Sequence, residues 1–366
     1  MRLEIDSDRR LQALTLAIAR HAAARDADGA HPRQAIAELD ALGLLADPPV
    51  RAGAMRSLLA LLAAAGRGDL SVGRIFEGHV NACWLIEEYG TAAQRKHYRE
   101  IAGEAGLFGV WNTDAPDDPL RLVGGKLVGR KNFATGVEGM SHAVVTITED
   151  GARRMIVVPT AGRPVDRSWW RPLGMRASGS HIIDMTGTVV EPEWFLGSAD
   201  DYIRQPWFSG GAIRFLAVQV GGMHAVFDAA LAHLGRTDRA SNPYQAHRLA
   251  RMGVAVETGY LWLDRVADAW NAAASNPEAA EPKRYLMAGA NGARLAVETA
   301  AMAVLDDAER AIGAGGMIAP HPFERLMRDM RTYLRQPNPD GAAAAFGAAI
   351  ADGSWNPAGP REPGGA

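Results

Sequence analysis

Several features that would assign this chain to a class of protein are missing from its sequence. Cys83 is the only cysteine among 366 residues, so neither an intrachain disulfide nor a thiolate metal cluster can form, and no metal site is expected. The 42 acidic and 39 basic residues nearly cancel to a formal net charge of −3, so no broad positive field would attract nucleic acid. We expect a protein of a reducing compartment, the cytoplasm, without a nucleic-acid partner.

An export signal and a membrane-spanning run are missing as well. The opening residues, MRLEIDSDRR, mix both signs of charge and lack the apolar core of a signal peptide. The longest uninterrupted apolar runs, such as residues 58–65, are far shorter than the roughly 20 residues needed to cross a bilayer. The sequence therefore predicts neither export nor membrane insertion.

What the sequence contains is a globular composition and a succession of different textures. Hydrophobic residues make up 48% and charged residues 22%, which is the composition of an ordinary globular protein. A chain of 366 residues exceeds the usual size of one compact core, so two or three domains are expected. Residues 1–105 carry apolar side chains three and four apart, as in RRLQALTLAIARHAAA, which predicts an N-terminal helical domain. Residues 106–205 contain short runs such as HAVVTIT and RMIVVPT between tight turns, which predict an antiparallel β domain.

The rest of the chain returns to helical periodicity. Residues 206–350 include GAIRFLAVQVGGMHAVFDAALAHL and similar patterns, long enough for a bundle of antiparallel helices. Residues 351–366 are rich in proline and glycine and are expected to form a flexible tail. In HPFERLMRDM, acidic and basic residues spaced four apart predict ion pairs on a solvated helix face.

Four stretches, in this order and spacing, resemble the acyl-CoA dehydrogenase superfamily. They read YGTAAQRKHYREIAGEAGLFGVWNT, KLVGRKNFATGVEGMSHAVV, LGMRASGSHIIDMTGTVV and AERAIGAGGMIAPHPFERLMRD. The resemblance implies a mainly α protein with a central β domain: an N-terminal helical domain, an antiparallel β-sandwich or barrel, and a C-terminal four-helix bundle. It also implies FAD bound between the β domain and the bundle of a homodimer or homotetramer.

The resemblance assigns part of the flavin contact to the β domain. In LFGVWNT the matching positions are Val110, Trp111 and Asn112, although a tryptophan buried for packing is the common alternative. In KNFATG, Phe133 and Thr135 lie two apart, so on a strand they share one face and could present a ring and a hydroxyl to the flavin. An ordinary sheet face is the alternative interpretation.

The bundle is expected to supply the other contacts, which the resemblance places across a subunit interface. Arg236 matches the arginine that meets the pyrophosphate, with Arg239 as a possible register shift and a solvated helix end as the plain explanation. The turn of Gly313, Ala314, Gly315 and Gly316 matches the glycine turn near the adenosine, where close approach needs small residues. Ala314 stands where the family usually has glycine, and a helix C-cap is the alternative.

The usual catalytic base is missing. The dehydrogenases place a glutamate nine residues after the arginine that matches Arg328, and this carboxylate removes the α-proton of the acyl thioester; here that position is Pro337. Some members put the glutamate on the first helix of the bundle, but residues 210–213 carry no carboxylate either. Proline has no group that accepts a proton, so it cannot serve as a general base.

Three outcomes follow from this absence. Another residue could act as base, and RIFEGHVNACWLI offers Glu77 and His79, although a lone histidine in an apolar helix is more often a core residue. Alternatively, the protein belongs with the flavin-dependent monooxygenases and oxidases of the superfamily, because WWRPLGMRASGSHIIDMTG resembles their loop. In that case His79 or Ser178 would stabilise an oxygen adduct, and Arg176 would hold the loop or an anionic group of the substrate or cofactor, with a structural salt bridge as the alternative for Arg176. A non-catalytic scaffold is the third outcome.

The leading interpretation from sequence is an FAD-dependent, acyl-CoA dehydrogenase-like oxidoreductase that acts on CH–CH donors. Its expected partners are a small-molecule substrate such as an acyl-CoA, an electron-transfer flavoprotein or flavin reductase, and further copies of the chain. A monooxygenase or oxidase acting on a small aromatic or amino-bearing compound is the alternative. No cluster of basic residues in the sequence indicates a binding site for the phosphates of CoA.

Overall fold

The computed structural model of the chain describes residues 2–50 and 53–357. These residues divide into two compact units, one made of residues 2–50 and 64–204 and the other of residues 53–63 and 205–357. Helices give way to strands between residues 103 and 108, and helices return at residue 207, close to the boundaries that the sequence predicts. The predicted helical and β domains, however, pack into a single unit.

The first unit contains the N-terminal helices. They are α1 (Arg2–Ala19), α2 (Ala22–Asp28), α3 (Arg33–Ala41), the last turn of α4 (Met55–Gly68), α5 (Leu70–Tyr89) and α6 (Ala92–Gly103). Asp69 caps α5 by accepting hydrogen bonds from the backbone N–H groups of Ser71 and Val72, and Thr91 and Gln94 form a reciprocal capping box on α6. These caps satisfy amide groups that the first turns leave without intrahelical partners.

Nine strands complete this unit. They are β1 (Phe108–Trp111), β2 (Arg121–Val123), β3 (Lys126–Val128), β4 (Arg130–Ala134), β5 (His142–Glu149), β6 (Ala152–Pro159), β7 (Val165–Asp166), β8 (His181–Asp184) and β9 (Phe195–Leu196). They form sheets with the orders β1-β5-β6-β9, β2-β3 and β4-β8-β7. All pairs are antiparallel as predicted except β1 with β5, which runs parallel.

The core of the first unit lies where α5 and α6 pack against the four-stranded sheet. Fully or nearly fully buried side chains meet there, among them Ala82, Tyr98, Phe108, Val144 and Val157. Burial of this kind stabilises by roughly 25 cal/mol per Å² of apolar surface, so the helices and the sheet depend on each other. This packing explains why the two predicted domains form one unit.

The second unit is a helical bundle, as the sequence predicts. It contains α7 (Trp207–Arg236), α8 (Pro243–Ser275), α9 (Ala280–Ile312), α10 (Pro322–Tyr333) and α11 (Pro339–Ala351). The helices α7, α8 and α9 pack on one another, α10 packs on α7, and α11 packs on α9. By length and hydropathy α7 could cross a membrane, but 72% of its most apolar window is buried inside the protein, as in a core helix.

Two expectations about this unit need correction. Trp355 is only 4% exposed, stacks on Tyr285 at 4.6 Å and lies under the guanidinium of Arg265, which also donates to the carbonyl of Asn356, so the expected flexible tail is anchored at least to residue 356. The ion pairs Glu324–Arg328 and Arg325–Asp329 do form, but three of these four side chains are almost fully buried rather than solvated. The indole ring of Trp355 and the apolar stems of the ion-paired side chains of α10 both offer apolar surface that neighbouring helices cover. The end of the tail lies outside the described residues.

Candidate functional site

The end of β1 presents three of the predicted flavin contacts. Trp111 is buried and its Nε1–H donates to the carbonyl of Thr135 at 3.2 Å, while Val110 is half-buried against the core of the first unit. A Cβ on Gly109 would lie 2.8 Å from Trp111 Nε1, so only glycine lets the indole fold back over the strand. Trp111 therefore also has the packing role that the sequence left open.

Asn112 follows the last residue of β1, and one of its hydrogen-bonding groups has no partner among the described residues. Its Oδ1 accepts from Thr146 Oγ1 at 2.8 Å and from Arg153 Nη1 at 3.0 Å, which sets the orientation of the amide. Its carbonyl oxygen accepts from the buried Lys131 Nζ at 3.3 Å. The amide nitrogen Nδ2 forms no hydrogen bond within the described part of the chain, so it is available to a ligand acceptor.

The prediction that Phe133 and Thr135 share one strand face is wrong. The register of β4 against β8 shifts between Lys131 and Ala134, and Phe133 adopts a left-handed backbone conformation with φ of 51°. As a result the ring of Phe133 is 38% exposed while Thr135 is buried. A bulge breaks the alternation on which the prediction relied. A non-glycine residue at positive φ is strained, and such strain often marks a binding site.

Thr135 begins a chain of three buried hydroxyl groups. Its Oγ1 lies 3.0 Å from Ser180 Oγ, which in turn lies 2.9 Å from Ser178 Oγ. All three side chains are at most 7% exposed. The predicted substrate-binding residue Ser178 therefore uses its hydroxyl to tie the loop to β4 in this structure, and a contact with substrate stays a prediction.

The loop that contains Arg176 is shaped by two left-handed residues. Met175 and Gly179, with φ of 61° and 49°, bracket a single 3₁₀ turn at Arg176–Ser178. Met175 and Ala177 are buried, which anchors the turn, whereas the side chain of Arg176 is exposed and forms no hydrogen bond or ion pair with any described residue. The salt bridge that the sequence left open for Arg176 is therefore not formed among the residues that the structure describes.

Arg176 faces a cavity that sequence analysis did not anticipate. The cavity has a volume of about 480 Å³ and lies between the end of α2 and this loop. It is lined by Ala27, Asp28, Gly29, Trp170, Arg171, Pro172, Arg176 and His181. Neither the spacing nor the composition of these residues signals a site, because three separate stretches of chain meet there only after folding.

His79, a predicted catalytic residue, is fully buried on α5. Its Nε2 lies 2.9 Å from the carbonyl of Leu45, and its Nδ1 accepts from the backbone N–H of Phe108 at 3.1 Å. Burial lowers the pKa of His79 to about 4, so the ring is neutral at neutral pH. Both nitrogens are occupied by backbone groups. This is the geometry of the core histidine that was the alternative, and a catalytic role for His79 stays an untested prediction.

Glu77, the second predicted catalytic residue, also uses its side chain in hydrogen bonds within the protein. It is 1% exposed and its carboxylate accepts hydrogen bonds from Arg74 and from Asn81 on the same helix. Glu77 and Asn81, four residues apart, thus share one face of α5, and His79 lies elsewhere on the helix. A carboxylate that is buried and ion-paired is poorly placed to accept a proton from a substrate.

In the second unit, the predicted cofactor residues lie at helix ends. Arg236 is exposed in the last turn of α7, and Arg239 donates to the carbonyl of Ala311 at the end of α9. Gly313 caps α9 with φ of 83°, so the helix C-cap alternative is realised there. Gly316 is buried and a Cβ on it would lie 2.5 Å from Ile312 Cγ2, which gives this glycine a packing reason as well. Ala314 is exposed, and a role in cofactor binding stays a prediction for these residues.

The segment around Pro337 is held in place by Arg294 of α9. The Nη2 atom of this buried arginine donates to the carbonyls of Leu334 and Gln336, each at 2.6 Å. Pro337 itself is exposed, and Asn338 caps α11. The backbone is thus fixed at the position where the dehydrogenases carry their glutamate. Among the described residues, no cluster of three or more histidine, cysteine or carboxylate side chains could hold a metal ion.

Comparison with known families agrees with this architecture. The family model described as the acyl-CoA dehydrogenase N-terminal domain matches residues 12–109, and the one for the C-terminal domain matches residues 202–334. The chain belongs to the acyl-CoA dehydrogenase superfamily. This is a family of flavin-dependent oxidoreductases, and its assignment confirms both the predicted family and the predicted fold.

The curated relatives are not dehydrogenases by name. The chain is 23% identical to the dibenzothiophene monooxygenase of Rhodococcus qingshengii over 304 residues, 72% of each protein. It is 29% identical to the amino sugar nitrososynthase DnmZ of Streptomyces peucetius over 255 residues, 63% of this chain and 60% of DnmZ. The structure of TdsC from Paenibacillus sp. A11-2 with FMN and indole has the same fold, with a TM-score of 0.84, 17% identity and coverage of 96% and 98%.

Proposed function

We propose that this protein is a flavin-dependent monooxygenase that acts on a small aromatic or amino-bearing compound. The observation that carries the proposal is the replacement of the catalytic glutamate by Pro337, on a backbone segment that Arg294 holds firmly. An acyl-CoA dehydrogenase needs a base at the α-carbon, and general-base catalysis contributes about 10²–10⁴-fold in rate. Oxygen insertion by a reduced flavin has no such requirement.

The relatives support this choice over the dehydrogenase that the sequence first favoured. The curated proteins reported above are named as a monooxygenase and a nitrososynthase, and both match more than three-fifths of the chain. Dehydrogenation of CH–CH donors, with acyl-CoA as substrate, is therefore the second candidate. It would require a proton acceptor other than Pro337.

The residues of the first unit are compatible with a bound flavin. Phe133 has a strained backbone and an exposed ring, whose centroid lies 4.9 Å from that of Trp169 in an edge-to-face contact. The two rings form an aromatic surface beside the bulge. Asn112 Nδ2 is a free donor, which suits the carbonyl and ring-nitrogen acceptors of a flavin. Val110, Trp111, Asn112 and Phe133 would hold the ring system. When bound in its reduced form, a flavin supplies the two electrons that O₂ needs to insert one atom and form water.

The chain's own contribution is to position and shield. Trp111 and the three linked hydroxyl groups fix β4 and the Arg176 loop against each other, so the exposed groups beside them keep a constant geometry. Arg236, Gly313 and Gly316 would contact the cofactor from a second copy of the chain in a homodimer or homotetramer. A flavin reductase is the natural electron donor for a protein that receives its flavin already reduced.

The test is to supply purified protein with FMN or FAD, NADH and a flavin reductase, and to present thiophenes, indoles and amines under ¹⁸O₂. We expect a product heavier by one ¹⁸O atom, and oxygen uptake that depends on both substrate and protein. The matched experiment mixes the flavin-loaded protein anaerobically with a panel of acyl-CoAs and follows flavin absorbance.

The two candidates give opposite outcomes. Bleaching of the flavin by an acyl-CoA, without label incorporation in the other assay, would establish the dehydrogenase and overturn our proposal. Protein that binds neither flavin would support the non-catalytic scaffold instead. Chromatography of flavin released from the loaded protein shows whether FMN or the initially expected FAD is preferred.

A further inference from the structure

The cavity beside Arg176 contains polar groups whose hydrogen-bonding capacity is unused. His181 is 8% exposed, yet neither of its ring nitrogens has a hydrogen-bond partner among the residues described, and Nδ1 is completely covered. The buried Nε1–H of Trp170 also lacks an acceptor. Because Nδ1 of His181 and Nε1 of Trp170 are covered, Nε2 of His181 is the nitrogen through which a ligand in the cavity could hydrogen-bond.

The same cavity is bordered by two arginines, neither of which forms an ion pair with a described carboxylate. Among the described residues, the Arg176 guanidinium has no hydrogen-bond partner, and the Arg171 guanidinium uses only Nε, which donates to the carbonyl of Ser168 at 3.0 Å. Guanidinium groups bind phosphate and carboxylate oxygens through two parallel hydrogen bonds. Burial lowers the pKa of His181, so the imidazole is neutral at neutral pH and can add one N–H donor to these arginines.

The geometry points to a binding site for the phosphoryl group of a small molecule, with Arg176 and Arg171 as its cationic ligands and His181 as a neutral donor. A cavity of about 480 Å³ exceeds the space that a phosphate needs and falls in the range of small-molecule sites. The indole of Trp170 can cover an apolar or aromatic part of the same ligand. The ligand is thus a phosphorylated organic compound.

Asp28 allows the proposed negative charge of the ligand to be tested. It is exposed on the α2 side of the cavity, and a carboxylate at the rim repels an anion. Removing its charge should therefore strengthen phosphate binding, whereas removing the charge of Arg176 should weaken it. A nonspecific effect of substitution on folding would not produce opposite signs on two sides of one cavity.

Titration calorimetry of the full chain with pyrophosphate is the direct experiment. We expect Arg176→Gln to weaken binding by about tenfold or more, as loss of a charge-assisted hydrogen bond does, and His181→Leu to weaken it less. Asp28→Asn should strengthen binding by roughly threefold, in line with exposed charge pairs. Arg121→Gln is the matched control, because Arg121 is exposed in the same unit but does not line the cavity; it should bind like the wild type.

The source of the phosphoryl group is decided by a second titration with FMN and riboflavin. If the cavity holds the flavin phosphate, pyrophosphate competes with FMN, and Arg176→Gln lowers the affinity for FMN to that for riboflavin. If it holds a phosphate of the substrate, FMN binding is the same in Arg176→Gln and wild type while pyrophosphate binding is lost. Either result supports the site.

Two results would overturn it: a wild-type protein that does not bind pyrophosphate, or an Arg176→Gln variant that binds it equally well. The inference deepens the proposed function but its measurement is independent of catalysis. Pyrophosphate binding that depends on Arg176, in a protein that incorporates no oxygen, would refute the monooxygenase and leave the phosphate site standing.

Discussion

Two buried histidines of the first unit have opposite surroundings. His79, on a core helix, satisfies both ring nitrogens with backbone groups of Leu45 and Phe108. The ring nitrogens of His181, at the start of β8, have no partner in the described part of the chain, although the residue is almost as deeply buried. The sequence singled out His79 as a catalytic candidate and passed over His181. Burial and a lowered pKa are common to both, so these properties alone do not identify a functional residue.

The difference shows how to separate structural from functional polar groups. A hydrogen-bonded core histidine contributes to stability, since its partners would be left unpaired without it. An unpaired one lowers stability, so its retention in a folded protein needs an explanation, and a bound ligand is one such explanation. Unsatisfied hydrogen bonding is therefore the better guide here, and it turns the comparison into measurable predictions.

The largest expected effect is that of His79→Leu. The backbone N–H of Phe108 and the carbonyl of Leu45 would both lose a partner in a fully buried region. We expect the free energy of unfolding to fall by about 2–5 kcal/mol, measured by urea denaturation. His97→Leu, at an exposed position, is the control and should cost little. Full stability of the His79 variant with complete loss of turnover would restore the catalytic hypothesis.

The pH dependence of stability gives the next largest effect. The pKa of His79 is about 4 in the folded protein and near 6.5 when unfolded, so the unfolded chain binds the proton first. The contribution of His79 to the free energy of unfolding is then fully present above pH 6.5. It is lost as the pH falls toward 4, by about 1.4 kcal/mol per pH unit. His31, whose pKa burial also lowers to about 4, acts in the same direction.

Urea denaturation across this pH range checks the assignment to His79. The His79→Leu variant should show a shallower loss of stability on acidification than the wild type, because one of the two histidines no longer titrates. Equal slopes in the two proteins would mean that His79 is not held neutral by the fold.

A smaller effect is expected in the hydroxyl chain next to His181. Ser180→Ala removes the middle hydroxyl and leaves those of Thr135 and Ser178 without their shared partner. We expect a loss of about 1–2 kcal/mol in the free energy of unfolding, with pyrophosphate affinity nearly unchanged. A large loss of pyrophosphate binding without destabilisation would instead place this serine in the ligand site.

The smallest effect on stability, and the sharpest contrast, is expected for His181→Leu. No hydrogen bond is lost and an unpaired polar group disappears, so stability should change by less than about 1 kcal/mol or rise. The identical substitution at His79 is its matched comparison. A destabilisation as large as that of His79→Leu would show that His181 has partners in the folded protein, and would remove the main argument for the cavity.

Much of the architecture could be predicted from local patterns. The strand alternation of HAVVTIT and the long periodic stretches gave elements whose ends lie within a few residues of the expected domain boundaries. The failures have a common cause. Phe133 and Thr135 were placed on one face by strand periodicity, but a bulge in the pairing with β8 separated them. Trp355 was assigned to a tail because its neighbours are proline and glycine, but helices α8 and α9 supply aromatic partners for it.

The sequence by itself determined the superfamily, the order of helical and β regions, and the proline that replaces the catalytic base, because these depend on residue type and on spacing along the chain. Only the tertiary structure decided which polar side chains are satisfied. The partners of His79 lie 34 and 29 residues away, and the groups around the Arg176 cavity come from α2, the loop after β7 and β8. Hydrogen bonds are short-range and directional, so contacts between such distant segments are set by packing rather than by sequence pattern.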